Sequence, residues 1–292
     1  MAHIEGEIAS QPDCWRRAVS LAGQVAERLP RPGERVAVVG CGTSWFVAMA
    51  YAALRERAGC GETDAFAASE FPTTRRYDRV VAISRSGTTT EVLDLLRALP
   101  SDVRTTGIIG DDRSPATTLV HDLVSLPFAD EESVVQTRFA TTVLALLRAH
   151  LGEDLSDVIR EATVALPAAL PLDPATVSQV TFLGRGWTVG LAEEAALKCR
   201  EAAGFWAEAY PAMDYRHGPI SIAAPGRAVW ALGDVPAGLA EEVTRTGATF
   251  VHSGRDPMAE LVLAQRFAVA LAAHRGLNPD APRHLTRSVV LR

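Results

Sequence analysis

Long apolar runs are missing from this 292-residue chain: none approaches the roughly 20 residues a membrane-spanning helix needs. The amino terminus, MAHIEGEIASQPD, lacks a basic stretch followed by an apolar one, so no secretory signal is expected. Cysteine is scarce. Cys14, Cys41, Cys60 and Cys199 show neither metal-ligand pairing nor framework spacing, which fits reduced thiols in a cytoplasm. The seven histidines are scattered without an HExxH or His-x-His cluster, so no metal site is expected. Excess positive charge is absent too. A formal net charge of -6 argues against a general nucleic-acid binder. What remains, 48% hydrophobic and 22% charged residues, describes a soluble globular protein of one large or two medium domains with ample core.

The same unit is written twice. VAVVGCGTSWFVAMAYAALRERAG, from Val36, is similar to VTFLGRGWTVGLAEEAALKCREAAG, from Val180. Each is a short apolar strand, a Gly-x-Gly turn and a helix ending in Ala-Gly, followed by an aromatic-acidic patch (AASEFP, then AMDYRHGP). Strands are predicted at Val36–Val39, Val80–Ile83, Gly107–Ile109 and Leu123–Pro127, with helices at Phe46–Arg57, Thr90–Ala98 and Val135–His150. The second copy predicts strands at Val180–Leu183, Ala228–Leu232 and Thr249–His252, and helices at Thr188–Ala203, Ala237–Thr246 and Met258–Arg275. Apolar strands alternating with amphipathic helices imply an α/β fold of two tandem, doubly wound, flavodoxin-like parallel sheets. The expected segments are a helical lead-in (1–35), a first subdomain (36–164), a proline-rich linker (165–179), a second subdomain (180–277) and a tail (278–292).

Between the strand at Val80 and the helix at Thr90 stand Ser84, Arg85, Ser86, Gly87, Thr88 and Thr89. Strand-to-helix turns at the carboxyl edge of a parallel sheet are where ligands bind, and helix amino termini there offer free N–H groups to phosphate. Gly42, Thr43 and Ser44 form a second such turn, and Gly42 and Gly87 allow close backbone approach. Capping is the alternative: Thr88-x-x-Glu91 is itself a capping box. Dinucleotide and P-loop readings fail, because Trp45 occupies the third glycine position and no G-x-x-x-x-G-K-[ST] occurs. A small phosphate monoester is what remains, with no cofactor expected.

These turns, CGTS and SRSGTT, resemble the sugar-isomerase (SIS) domain family. The ordered set CGTS, ASEF, SRSGTTTE, GRG, ALKCRE, AEAY and HGP is similar to the isomerase half of glucosamine-6-phosphate synthase, without the glutaminase domain. GEIASQP near the start and NPDAPRHLTRSV near the end agree, so the resemblance covers essentially the whole chain. It implies a sugar phosphate held by Ser44, Ser84, Arg85, Ser86 and Thr89, with Gly42 and Thr43 shaping the turn. Arg85 stands where the synthase has a neutral amide, which points either to a tighter phosphate grip or to a surface ion pair. The segment EESVVQTRF places the Val134 backbone at the sugar pocket.

Glu194, Lys198 and Glu201 share one helix face, which periodicity alone reads equally well as a solvated ion-pair face; His217 reads equally well as a polar turn histidine. The resemblance makes Glu201 the base that carries a proton between C1 and C2, Lys198 its neighbour, and His217 the ring opener. The resemblance further implies that this histidine is donated by the neighbouring subunit of a homodimer with shared active sites, and that the tail (278–292) closes the site. Where the synthase has an imine-forming lysine, this chain has Arg287, which stays protonated and forms no Schiff base. The expectation is a cytoplasmic aldose–ketose isomerase or isomerising deaminase for a hexose or hexosamine 6-phosphate. A fructosamine 6-phosphate deglycase and a non-catalytic sugar-phosphate sensor are the alternatives.

Overall fold

The computed structural model describes residues 2–291. Two compact units emerge, each built on its own parallel sheet. The first comprises Ser10–Glu132, Gln136–Leu155 and the tail from Thr286. Its strands are β1 (Val36–Gly40), β2 (Thr63–Ala67), β3 (Arg79–Ser84), β4 (Arg104–Ile109) and β5 (Asp122–Ser125), in the spatial order β2-β1-β3-β4-β5. This is the flavodoxin-like order, whose crevice falls where the chain reverses direction between β1 and β3. Every pairing is parallel, with Val38 opposite Ala65 on one side and Val81 on the other. β1 and β3 are buried throughout because helices cover both faces, which is why they read as unbroken apolar runs.

Helices α2 (Gln11–Val25), α3 (Thr43–Arg57), α4 (Thr90–Ala98) and α5 (Arg138–His150) complete this unit. α2 packs along α5, and the fully buried Trp15 donates its Nε1 proton to Thr141 at 2.9 Å. On the other face, Val92, Leu95 and Leu96 of α4 pack onto Val80, Ala82, Ala37 and Val39. Burying each such side chain contributes about 1.5–3 kcal/mol. Arg79 lies wholly inside, bonded to Glu34 at 2.8 Å and Asp122 at 2.9 Å.

The second unit comprises the residues up to Ala9, Ser133–Val135 and Ser156–Leu285. It contains α1 (His3–Ala9), α6 (Ser156–Ala165), α7 (Thr188–Ala203), α8 (Leu239–Arg245) and α9 (Pro257–His274). Its strands are β6 (Gln179–Gly184), β7 (Ala207–Pro211), β8 (Arg227–Leu232) and β9 (Thr249–Val251), ordered β7-β6-β8-β9. The sheet thus repeats the first four positions of the other. α9 is apolar on nearly all sides because α1, α6 and α7 all pack on it. Asp256 caps it, accepting the Met258 N–H at 2.9 Å. Gly204, left-handed at φ 54°, closes α7, with its N–H on Arg200 O and that of Phe205 on Cys199 O.

The repeated turns share one physical requirement. A Cβ on Gly40 would sit 2.7 Å from Ser44, and one on Gly184 would sit 2.2 Å from Thr188 O. Each strand passes directly into its helix only because those side chains are missing.

Four features depart from the sequence reading. The edge strands β2 (TDAFA) and β7 (AEAYP) carry no β-branched run and were not foreseen; both are only half-buried. α6, not foreseen either, groups with the second sheet rather than with the segment ending at 164. α5 begins at Arg138 rather than Val135, because the buried Glu131 carboxylate accepts the N–H groups of Thr137, Arg138 and Phe139 at 2.6, 2.8 and 3.3 Å. The Thr88–Glu91 capping box does not form: Thr89 is the N-cap residue and no side chain caps α4.

Candidate active site

In the first unit the GCGTS turn swings β1 into α3 through Gly42 at φ 54°, and buries Thr43 and Ser44 in the first helical turn. Beside it, Ser84, Arg85 and Ser86 are all at least nine-tenths buried at the end of β3. Ser84 Oγ accepts the Gly87 N–H at 3.0 Å, and Ser86 Oγ accepts that of Thr88 at 3.2 Å. A hydroxyl that accepts in this way keeps its own proton to donate, so both serines can present O–H to an oxyanion. Gly87 is obligatory here: φ is 59°, and a Cβ would meet Ser114 Oγ at 1.9 Å. Thr88 and Thr90 are turned to the tail instead. Thr88 donates to Ser288 at 2.8 Å and Thr90 accepts the Leu291 N–H at 2.8 Å.

Arg85 is 1% exposed, which overturns the surface ion pair; its Nη2 donates to the Arg287 carbonyl at 2.5 Å. Arg287 itself reaches both Asp130 oxygens from one nitrogen, Nη2, at 2.6 and 2.7 Å, and donates from Nη1 to the Glu131 carbonyl. Its guanidinium is therefore engaged within this unit. Asp130 was missed by the sequence reading, since a single aspartate before Glu131 carries no motif.

The second unit holds Lys198, Glu201, His217 and Val134. Lys198 and Glu194 are each 1% exposed, so the solvated-face alternative fails. The Lys198 ammonium lies 2.6 Å from Glu201 Oε2 and 3.4 Å from Glu194 Oε1. Glu201 remains 20% exposed and lines a cavity of about 420 Å³ with Arg200, Arg275, Arg283 and His284. A buried cation between two carboxylates holds both side chains in one geometry, and leaves Glu201 Oε1 outside the pair.

His217 ends a 3-10 turn, Asp214–His217, and is exposed. Its neighbours anchor that turn. Tyr215 is fully buried, and Arg216 is bidentate on Glu242 at 2.6 and 3.1 Å. The Arg216–Glu242 hydrogen bond holds the Glu242 carboxyl below the usual range. No hydrogen bond or ion pair joins His217 to Glu201 within the chain among the described residues. Val134 is half-buried between Ser133 and Val135, where the Ser133 N–H donates to Glu7 at 3.2 Å. Among the described residues no cluster of His, Cys, Asp and Glu has a metal-binding arrangement.

Two parallel sheets of matching strand order, each with a Gly-x-Gly turn feeding a helix, define a doubled α/β fold. A crystal structure of glucosamine-6-phosphate deaminase from Thermotoga maritima superposes with a TM-score of 0.81 at 26% identity, covering 99% of this chain and all of that one. The C-terminal domain of glucosamine-fructose-6-phosphate aminotransferase from Francisella tularensis gives 0.78 at 20% identity, over 96% and 98% of the two chains. In sequence, an isomerizing glutamine–fructose-6-phosphate aminotransferase from Gloeobacter violaceus is 30% identical over 88% of this chain and 52% of its own length. The chain spans about half the length of the curated relatives it matches. No family model matches it. In sequence the chain is similar to the isomerase part of glucosamine-fructose-6-phosphate aminotransferase, and in structure to phosphosugar isomerases.

Proposed function

We propose that this chain is a sugar-phosphate aldose–ketose isomerase or isomerising deaminase acting on a hexose or hexosamine 6-phosphate. The observation that carries the reading is the Lys198–Glu201 pair: a carboxylate held at 2.6 Å by a buried ammonium, yet still open to a cavity. Its chemistry suits a single mobile proton. His217, presented by a second copy of the chain in a homodimer, protonates the ring oxygen and accepts the anomeric hydroxyl proton. Glu201 then removes the proton at C2, leaving an enediol, and returns it to C1. With an amine at C2 the same transfer gives a substrate-borne imine, which water splits to ketose and ammonia. Arg287 stays protonated, so no imine forms at that position.

Ser44, Ser84, Ser86 and Thr89 hold the phosphate, with Gly42 and Thr43 shaping their turn, Arg85 supplying positive charge beneath it and the Val134 backbone lining the sugar pocket. The synthase and deaminase relatives support this substrate class. No helix among the described residues is long and apolar enough to cross a membrane, and we place the protein in the cytoplasm.

The test is a panel of hexose, hexosamine and fructosamine 6-phosphates, with ketose and ammonia measured separately. Ketose, with or without ammonia, is expected from an aldose or hexosamine ester. Binding without turnover would identify a sensor, and cleavage of the fructosamine ester alone a deglycase. Glu201→Gln is expected to lower kcat by at least about 100-fold with phosphate binding retained; equal activity would refute the assignment.

A further inference from the structure

The tail beyond Leu285 presents a physical puzzle. Val289, Val290 and Leu291 are 53%, 62% and 63% exposed, so apolar burial does not hold this segment. It is nevertheless tied at successive points to the SRSGTTT turn. The Arg287 carbonyl takes the Arg85 guanidinium, Ser288 takes the Thr88 hydroxyl, and the Val289 carbonyl accepts the Thr90 N–H at 3.1 Å. That last bond satisfies one of the orphan donors of α4, a helix with no side-chain cap of its own. The strap thus does for α4 what the Thr88–Glu91 box does not.

What anchors the strap is the Arg287 side chain. Its guanidinium engages Asp130 through one nitrogen, Nη2, which lies 2.6 and 2.7 Å from the two carboxylate oxygens, while Nη1 donates to the Glu131 carbonyl. The adjoining Glu131 carboxylate caps α5. The anchor is therefore fixed at the end of a packed helix and not on a loose loop.

We propose that Asp130 and Arg287 form a latch that positions the phosphate turn: Asp130 grips Arg287, and the Arg287 carbonyl in turn fixes the buried Arg85 guanidinium. Asp130 is a positioning residue and touches no substrate. Arg287 serves through its backbone as well as its side chain, which gives a reason for arginine where the resemblance leads one to expect lysine. A lysine ammonium offers a single nitrogen, whereas the guanidinium reaches Asp130 with one Nη and the Glu131 carbonyl with the other.

The inference rests on the phosphate reading for its kinetic arm and stands without it for its structural arm. In the kinetic arm, Asp130→Asn is expected to raise KM for a hexose 6-phosphate about tenfold with kcat within about twofold, the signature of lost binding rather than lost chemistry. Asp130→Glu, which keeps the carboxylate, is expected to recover most of that loss. In the structural arm, trypsin cleavage after Arg287, followed by mass spectrometry, is expected to be faster in Asp130→Asn than in the parent. Should Asp130→Asn fail to fold by circular dichroism, Arg287→Lys carries the protease arm, with the same faster tail release expected.

Tail protection and KM both equal to the parent would overturn the latch. A change in protection with unchanged KM would leave a structural strap and overturn the positioning role. If the parent itself binds no sugar phosphate and Ser86→Ala alters nothing, the phosphate reading fails, and the protease result still decides whether the latch exists.

Discussion

At Lys198 the ammonium is enclosed at 1% exposure between the carboxylates of Glu194 and Glu201. Removing one member of a buried ion group leaves the others unpaired, which costs far more than an exposed pair contributes. Lys198→Met is therefore expected to lower unfolding free energy by about 3–5 kcal/mol, measured by urea denaturation. A solvated face would change by well under about 1 kcal/mol. The spacing of the three residues was legible in the sequence as one helix face. Their burial was not, because it depends on which elements cover α7. Arg85 shows the same limit: the sequence left open a phosphate contact or a surface ion pair, and only the packed turn reveals it at 1% exposure.

Elements are joined here by close approaches and by charges shared between strands. Gly184→Ala places a methyl 2.2 Å from Thr188 O and 2.5 Å from Val189 N, atoms of the backbone that cannot swing away. The expected loss is about 1–3 kcal/mol, read as a lowered Tm, with α7 and the Glu201 it carries displaced. Across β3, β4 and β5, Asp122 binds Arg104 at 2.6 Å and Arg79 at 2.9 Å. The Arg104 hydrogen bond is the largest influence on that carboxyl; with Arg79 it outweighs burial and holds Asp122 below the usual carboxylate range. A carboxyl lowered on folding adds stability above its unfolded pKa of about 4, and that stability is lost as pH falls through the lower, folded value. Asp122→Asn is thus expected to be less stable than the parent at pH 7. The gap should close below about pH 4, as followed by denaturant midpoints across a pH series. Long apolar strands such as β1 and β3 were visible from sequence. The edge strands β2 and β7 were not, since a half-buried edge imposes no strong pattern on its residues.

For the whole molecule, the hydroxyl-rich turns belong to one compact unit, Glu201 and Lys198 belong to the other, and His217 stands exposed on an anchored turn. If a partner supplies His217, mixing refolded Glu201→Gln and His217→Ala chains should restore activity that neither has alone. Light scattering should show a dimer of the 31.2 kDa chain. Continued inactivity of an equimolar, co-refolded mixture would place both residues in one chain.

The duplicated strand–turn–helix pattern, the parallel class of sheet and the hydroxyl-rich turns were all determined by the sequence itself. Periodicity and glycine placement act over a few residues, within the reach of local sterics. Tertiary structure alone decided that Lys198 and Arg85 are buried, that Asp130 grips Arg287, and that the tail, not Thr88, caps α4. Those outcomes depend on residues far apart in the chain, such as Arg85 and Arg287, whose meeting is set by packing and leaves no local trace.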